Sequence, residues 1–115
     1  MGRTVEKGRK CEDLAVDFLV RQGHEIICRN FRRPFGELDI ISLKDDVLCV
    51  TEVKSLTSGW ESQDVRYMVS PAKINRMRKT LMAFLEENRN ISYGSVRFDV
   101  ATVTGNDVTV YRGDM

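Results

Sequence analysis

Between residues 5 and 22, apolar side chains recur with a helical period. Val5, Gly8, Cys11, Leu14, Ala15, Val16, Phe18 and Leu19 fall on one wide face, and Lys10, Asp13, Asp17 and Arg21 lie opposite. The pattern predicts a first helix over residues 5–22, closed by Gly23. Glu12 interrupts it, because it falls within the apolar face. After Gly23 the period changes to the alternation of strands, at residues 25–30, 37–43 and 47–54. Lys44-Asp45-Asp46 reads as a tight polar turn, so the second and third strands form an antiparallel hairpin. A polar stretch over residues 55–70 follows and contains Gly59, Trp60 and Tyr67. A second helix opens with Ser70 as N-cap and Pro71 at its first position. Its core face is Ile74, Met77, Leu81, Phe84 and Leu85, and Lys73, Arg76, Arg78 and Lys79 are expected on the exposed side. Two strands, at residues 95–103 and 108–112, close the pattern around the turn Gly105-Asn106-Asp107. Helix, three strands, helix, two strands implies an α/β fold with a mixed central sheet and a helical crossover.

The chain has 115 residues, the size of one domain. At 42% hydrophobic and 30% charged it falls in the class of soluble globular domains. No apolar run approaches the ~20 residues that span a bilayer, and residues 1–10 carry no stretch of signal-peptide type. Cys11, Cys28 and Cys49 form no CxxC pair and are odd in number, so they are expected to be reduced, in a cytoplasmic protein. The net charge of +1 is well below what is usual for a protein that coats DNA by charge alone, and by itself it does not decide the function. It leaves room for a nucleic-acid enzyme whose acidic centre offsets a basic surface.

Candidate chemistry lies in the hairpin. Alternation places Glu37 and Asp39 on one face of the second strand, and Glu52 and Lys54 on one face of the third. Both strands are otherwise apolar, so charges there need a reason. The hairpin brings Asp39 to the Glu52 end of its partner. Two carboxylates supply hard oxygen ligands for Mg²⁺ or Mn²⁺, and the lysine orients a water or offsets charge on phosphorus. That set suits phosphodiester hydrolysis by Asp39, Glu52 and Lys54, with Asp39 and Glu52 as the metal pair. Glu37 is either a further metal ligand or, as is more usual at a strand start, a solvated residue. Glu12 is either a further ligand or supporting group of this site or a structurally paired acid. His24, the only histidine, is read as structural.

These residues resemble a known family. Gly8…Glu12…Ala15…Leu19, Gly23-His24-Glu25-Ile26, Arg29-Asn30-Phe31-Arg32, Gly36-Glu37-Leu38-Asp39-Ile40-Ile41, Glu52-Val53-Lys54, Lys73 and Arg97-Phe98-Asp99-Val100 together resemble the YraN-like family of small bacterial proteins. That family is similar to restriction endonucleases and archaeal Holliday-junction resolvases with a PD-(D/E)xK-type site. The resemblance implies a restriction-endonuclease-like fold. It also implies that Asp39 is the aspartate, Glu52 the second acid, Lys54 the lysine and Glu12 the glutamate of the first helix. The chain departs from the pattern in three places. Leu38 precedes Asp39 in place of proline, Ser55-Leu56-Thr57 follow the lysine in place of basic residues, and His24 stands where an aromatic is expected. Asp99 is left between a family site position and an ion-pair partner.

Two basic clusters are candidates for phosphate contact. Arg29, Arg32 and Arg33 surround Phe31 just before the acidic strand, and Lys73 and Arg76 continue along the second helix. For each the alternative is an ordinary solvated surface. Trp60 and Tyr67 either stack on unpaired bases or anchor their loop. The leading expectation is a Mg²⁺- or Mn²⁺-dependent DNA endonuclease. With no separate recognition module it would select DNA structure, such as branches or junctions, and a homodimer would suit a two-stranded cut. The rivals are a non-catalytic nucleic-acid-binding protein and a protein-interaction module that retains the fold.

Overall fold

The computed structural model describes residues 2–56 and 70–113. Gly59, Trp60, Tyr67 and the side chain of Val5 lie outside the described residues. The elements run α1 (Gly2–Arg21), β1 (Glu25–Arg33), β2 (Gly36–Lys44), β3 (Val47–Ser55), α2 (Pro71–Glu87), β4 (Ser95–Thr104) and β5 (Asp107–Tyr111). This is the expected order.

The strands form one sheet in the order β1-β2-β3-β4-β5. β3 and β4 are parallel, and every other neighbouring pair is antiparallel. The parallel pair requires a crossover, which α2 supplies. The β2–β3 hairpin turns through Asp45 and Asp46, both with positive φ (50° and 66°). That is the geometry of a two-residue turn matched to strand twist, and aspartate tolerates it better than most residues.

The two helices cover opposite faces. On one, Ala15 and Leu19 of α1 pack with Ile40 and Ala101. On the other, Met77, Leu81 and Phe84 of α2 pack with Phe31, Leu38, Ile41, Leu48 and Val50. α1 ends as its glycine predicts: Gly23 takes φ 96°, and the His24 N–H returns to the Leu19 carbonyl at 2.9 Å. Gly8, expected on the apolar face of α1, is exposed. α2 begins as predicted, with the Ser70 hydroxyl accepting from the Lys73 N–H and Pro71 in the first turn. Among the described residues, no helix is long and apolar enough to cross a membrane. The result is an α/β, restriction-endonuclease-like arrangement.

β1 runs three residues beyond its expected end. Phe31, Arg32 and Arg33 therefore join Arg29 in a strand paired with β2, and do not form a loop before it. Asn30 allows this by adopting φ 54°, a left-handed conformation its short polar side chain tolerates.

Candidate active site at the β2–β3 seam

The β2–β3 ladder is paired from Lys44↔Val47 to Ile40↔Thr51. One step further, Asp39 and Glu52 are the next opposed positions. There the carboxylate replaces the ladder: Asp39 Oδ2 accepts the Val53 N–H at 2.8 Å. The bond fixes Asp39 against β3 beside Glu52. Glu52 is buried, at 9% exposure, one step beyond the core residue Val50 on the same face of β3. Burial and the nearby Glu52 carboxylate raise the Asp39 pKa to about 6, opposed by the Val53 N–H bond. Asp39 thus stands in a half-dry place where the neighbouring Glu52 carboxylate makes it harder to ionise.

Two ammoniums answer them. Lys73 Nζ lies 2.7 Å from Glu52 Oε1, and Lys54 Nζ lies 3.5 Å from the same oxygen. Burial pulls the Lys73 pKa down, but its bond and charge attraction to Glu52, with smaller help from Lys54 and Asp39, together leave it raised. Lys73 was expected on the solvent side of α2. The structure turns it inward, because positions 73, 77, 80 and 84 form one stripe down the helix, with Met77, Thr80 and Phe84 buried below it. A second signal was available. Lys73 is the third residue of a Ser-Pro-capped helix, where glutamate or glutamine closes a capping box and a cation opposes the helix dipole. A lysine in that position implies a nearby anion, and Glu52 is that anion.

Glu12 does not join the pair. Its Oε1 accepts from Arg29 Nε and Asn30 Nδ2, both at 2.8 Å. Arg29 also bonds Asp13. Glu12 therefore acts as a strut between α1 and β1, and only its weak repulsion reaches Asp39. Glu37 is exposed and pairs with Arg32 at 3.1 Å. Arg33 pairs with Glu87 and lies 4.1 Å over the Phe31 ring. Phe31 itself is buried edge-on against Phe84, so its ring belongs to the core. Arg29, Arg32 and Arg33 are thus each held by a carboxylate. Arg76 is exposed, one turn along α2 from Lys73.

The donor set fits a hard divalent cation. Among the described residues no three His, Cys, Asp or Glu groups converge as a metal cage. A pair of carboxylates is what Mg²⁺ uses when waters and substrate phosphate complete its shell. The raised pKa of Asp39 adds a reason, since positive charge between two acids relieves their repulsion.

Asp99 falls on the other side of its two readings. It is 2% exposed, is bonded through both oxygens to Arg97 Nε, and accepts the Gly113 N–H. It faces α1 and not the Asp39–Glu52 pair, as its register opposite Thr51 requires.

A sequence model described as "Uncharacterised protein family UPF0102" matches residues 11–103. Similar proteins carry the same family name. One from Sulfurihydrogenibium sp. (strain YO3AOP1) is 36% identical over 108 residues, covering 90% of this chain and 88% of its own. One from Helicobacter pylori strain J99 is 45% identical over 82 residues, covering 71% and 68%. One from Campylobacter fetus subsp. fetus is 44% identical over 78 residues, covering 68% and 67%. The match runs from α1 to the end of β4 and takes in Glu12, Asp39, Glu52, Lys54, Lys73 and Asp99, so this chain belongs to the UPF0102, or YraN-like, family.

Proposed function

We propose that the protein is a metal-dependent DNA endonuclease that hydrolyses phosphodiester bonds and selects branched or otherwise irregular DNA. The observation that supports this most is the convergence of Asp39, Glu52, Lys54 and Lys73 where the β2–β3 ladder opens. A stabilising pair needs one acid and one base. Here two acids are held together with one of them raised to about 6, an arrangement that favours binding a cation over maximal stability.

Asp39 and Glu52 would hold Mg²⁺ or Mn²⁺. Bound there, the ion would polarise the phosphoryl oxygen and acidify a water. Lys54, more exposed than Glu52, reaches the open side of the seam and orients the attacking water. Lys73 leaves Glu52 for a non-bridging phosphate oxygen, where charge develops as phosphorus gains its fifth oxygen. Arg76, one helical turn away, meets the next phosphate along the strand. A homodimer would present two such seams to the two strands of a junction.

A second reading is favoured by one observation. Glu52 is already neutralised by two ammoniums, which suits a nucleic-acid-binding protein that does not turn over. One experiment separates the two. The protein is incubated with linear, single-stranded, flapped and four-way-junction DNA in Mg²⁺ or Mn²⁺, beside Glu52→Gln and Lys54→Ala. Cleavage lost in both variants and on chelation supports the endonuclease. DNA binding with no cleavage of any substrate rejects it in favour of the binding protein.

A further inference from the structure

The turn between β1 and β2 stands at the seam end of the molecule. Antiparallel pairing from Arg33↔Gly36 through Lys44↔Val47 brings it to the end where β3 finishes, and the Lys73–Glu52 bond brings the start of α2 there as well. The turn is Pro34-Phe35, and Phe35 is 46% exposed. An exposed apolar residue says little by itself. This one is set apart by how firmly its flanks are held. Proline restricts the backbone before it. Gly36, after it, lies so close to α2 that a Cβ there would meet the Thr80 hydroxyl and stand 3.7 Å from the Arg76 carbonyl. In β1, Phe31 packs edge-on against Phe84 and Arg33 pairs with Glu87. An aromatic ring is thus shown to solvent from a fixed support, beside the first half of α2.

The charges of α2 run against its own dipole. Its cations, Lys73, Arg76, Arg78 and Lys79, all lie in the first part of the helix, and its acids, Glu86 and Glu87, close it. A helix built for stability has the reverse order. Arg76, Arg78 and Lys79 also have no acid three or four positions away that could pair with them along the helix. Glu86 and Glu87 are bonded to Arg89 and Arg33, and among the described residues no carboxylate pairs with Arg76, Arg78 or Lys79. Lys73, Arg76 and Lys79 follow at intervals of three, so they form one diagonal row that starts at the seam, with neighbours ~5–6 Å apart. Arg78 is turned ~100° away from Lys79 and falls outside the row. A row of unanswered cations leading from two carboxylates and past an aromatic ring is suited to a polyanion that also carries flat bases.

We propose, resting on the reading of the seam given above, that Phe35 and this row together recognise a branch in DNA: the backbone of one strand lies along Lys73, Arg76 and Lys79, and a base that has lost its partner stacks on Phe35. The row is blind to sequence, because phosphates carry none. The ring is nearly so, because every base has a flat face. In an intact duplex each base is already stacked, so Phe35 adds nothing and the row alone binds. At a flap or junction a base is free, and the fixed ring takes it without an ordering cost. Phe35 precedes Asp39 by four residues, or ~13 Å at strand rise. The bond to be cut then lies roughly four nucleotides from the stacked base, at 3.4 Å for each nucleotide of a stacked strand.

Binding of the full chain to a labelled linear duplex and to the same duplex with a single-stranded flap is followed by fluorescence anisotropy, in chelator and again in Ca²⁺, apart from any cleavage. The parent is expected to prefer the flapped DNA. Phe35→Ala lowers affinity for the flapped DNA about fivefold or more and leaves the duplex unchanged, and Phe35→Trp keeps the preference. Arg76→Gln and Lys79→Gln weaken both DNAs alike, and each lowers the slope of log affinity against log salt by about one. Arg78→Gln, with the same loss of charge on the same helix, changes neither DNA. All of these side chains are exposed except the control ring in Phe35→Trp, and circular dichroism checks each fold. A preference that survives Phe35→Ala, an equal loss on both DNAs in that variant, or an Arg78→Gln as weak as Lys79→Gln overturns the proposal, even if the protein cuts DNA. A preference lost only in Phe35→Ala, in a protein that cuts nothing, upholds the proposal and removes the endonuclease. No binding of either DNA in either condition overturns both.

Discussion

Asp39 combines two tasks that conflict. Its carboxylate replaces a backbone acceptor for Val53, and burial beside Glu52 raises its pKa from 3.8 to about 6. Below pH ~4 the group is protonated in both the folded and unfolded chain and costs nothing. As pH rises from ~4 to ~6 the unfolded chain releases this proton more readily, and folding loses stability, by about 3 kcal/mol above pH 6. Asp39→Asn keeps an acceptor for Val53 and removes that loss. Denaturant melts of the metal-free protein are therefore expected to show Asp39→Asn more stable than the parent at pH 8 and equal to it near pH 4. A parent whose stability rises between pH 4 and 6 relative to the variant would contradict this assignment. The two lysines on Glu52 differ in the same quantitative way. Lys73→Met breaks a 2.7 Å bond to a buried acid and is expected to cost about 1–3 kcal/mol. Lys54→Met removes a longer, more exposed contact and costs about 1 kcal/mol or less. Urea midpoints at one pH rank the two. These residues also mark the limit of what the sequence could reveal. Asp39, Glu52 and Lys54 were legible because strand alternation and a short turn fix their relation locally. Lys73 was misplaced because its charge was read before its position in the helical stripe. Glu12, found by its position, proved to be bonded to Arg29 and Asn30, partners distant in sequence that no local pattern names.

At the scale of elements, helix α2 is placed by a close approach at the β1–β2 turn. Gly36 lies under Thr80, and a Cβ built on it would run into the Thr80 hydroxyl, which is itself bonded to the Arg76 carbonyl. Gly36→Ala is expected to cost about 1–3 kcal/mol by overpacking. Adding Thr80→Ala should restore part of the loss, whereas Thr80→Val, of the same shape as threonine, should restore none. Calorimetric melting of the three proteins tests this. A Gly36→Ala protein as stable as the parent would mean that α2 can shift without strain. Because Lys73 and Thr80 lie on the same stripe, the shift should also be felt at Glu52. The start of α2 was legible, since Ser70 and Pro71 are a local signal. The end of β1 was not. A run of arginines reads as a loop, and only the pairing with β2 and the left-handed Asn30 carry the strand on to Arg33.

At the scale of the whole molecule, the sheet joins two charged ends. At the β2–β3 seam Asp39 and Glu52 meet Lys54 and Lys73, and at the far edge, on the α1 side, His24, Lys44, Asp45, Arg97 and Arg112 come together. Element order, the mixed sheet and the crossover followed from pattern and connection length. The far-edge cluster did not, because His24, Lys44, Arg97 and Arg112 come from four separated segments and converge only once all five strands are ordered. The pairing of β3 with β4 has a consequence in time. β1, β2 and β3 are joined by short turns, so their contacts close small loops. The β3–β4 register, such as Glu52↔Val100, spans nearly half the chain. Loop-closure entropy favours the three-stranded meander forming first, with α2 and β4 docking later. Ile41→Val is then expected to slow folding in proportion to its destabilisation, while Val103→Ala chiefly speeds unfolding. Stopped-flow chevrons on both variants would show it, and the reverse pattern would refute it. On that order of events the chain assembles the Asp39–Glu52 pair before Lys73 arrives. The two acids then spend the early part of folding with Lys54 of the same hairpin at hand but without Lys73, and on the metal-binding reading proposed above a divalent cation present at that moment would speed the path to the native state.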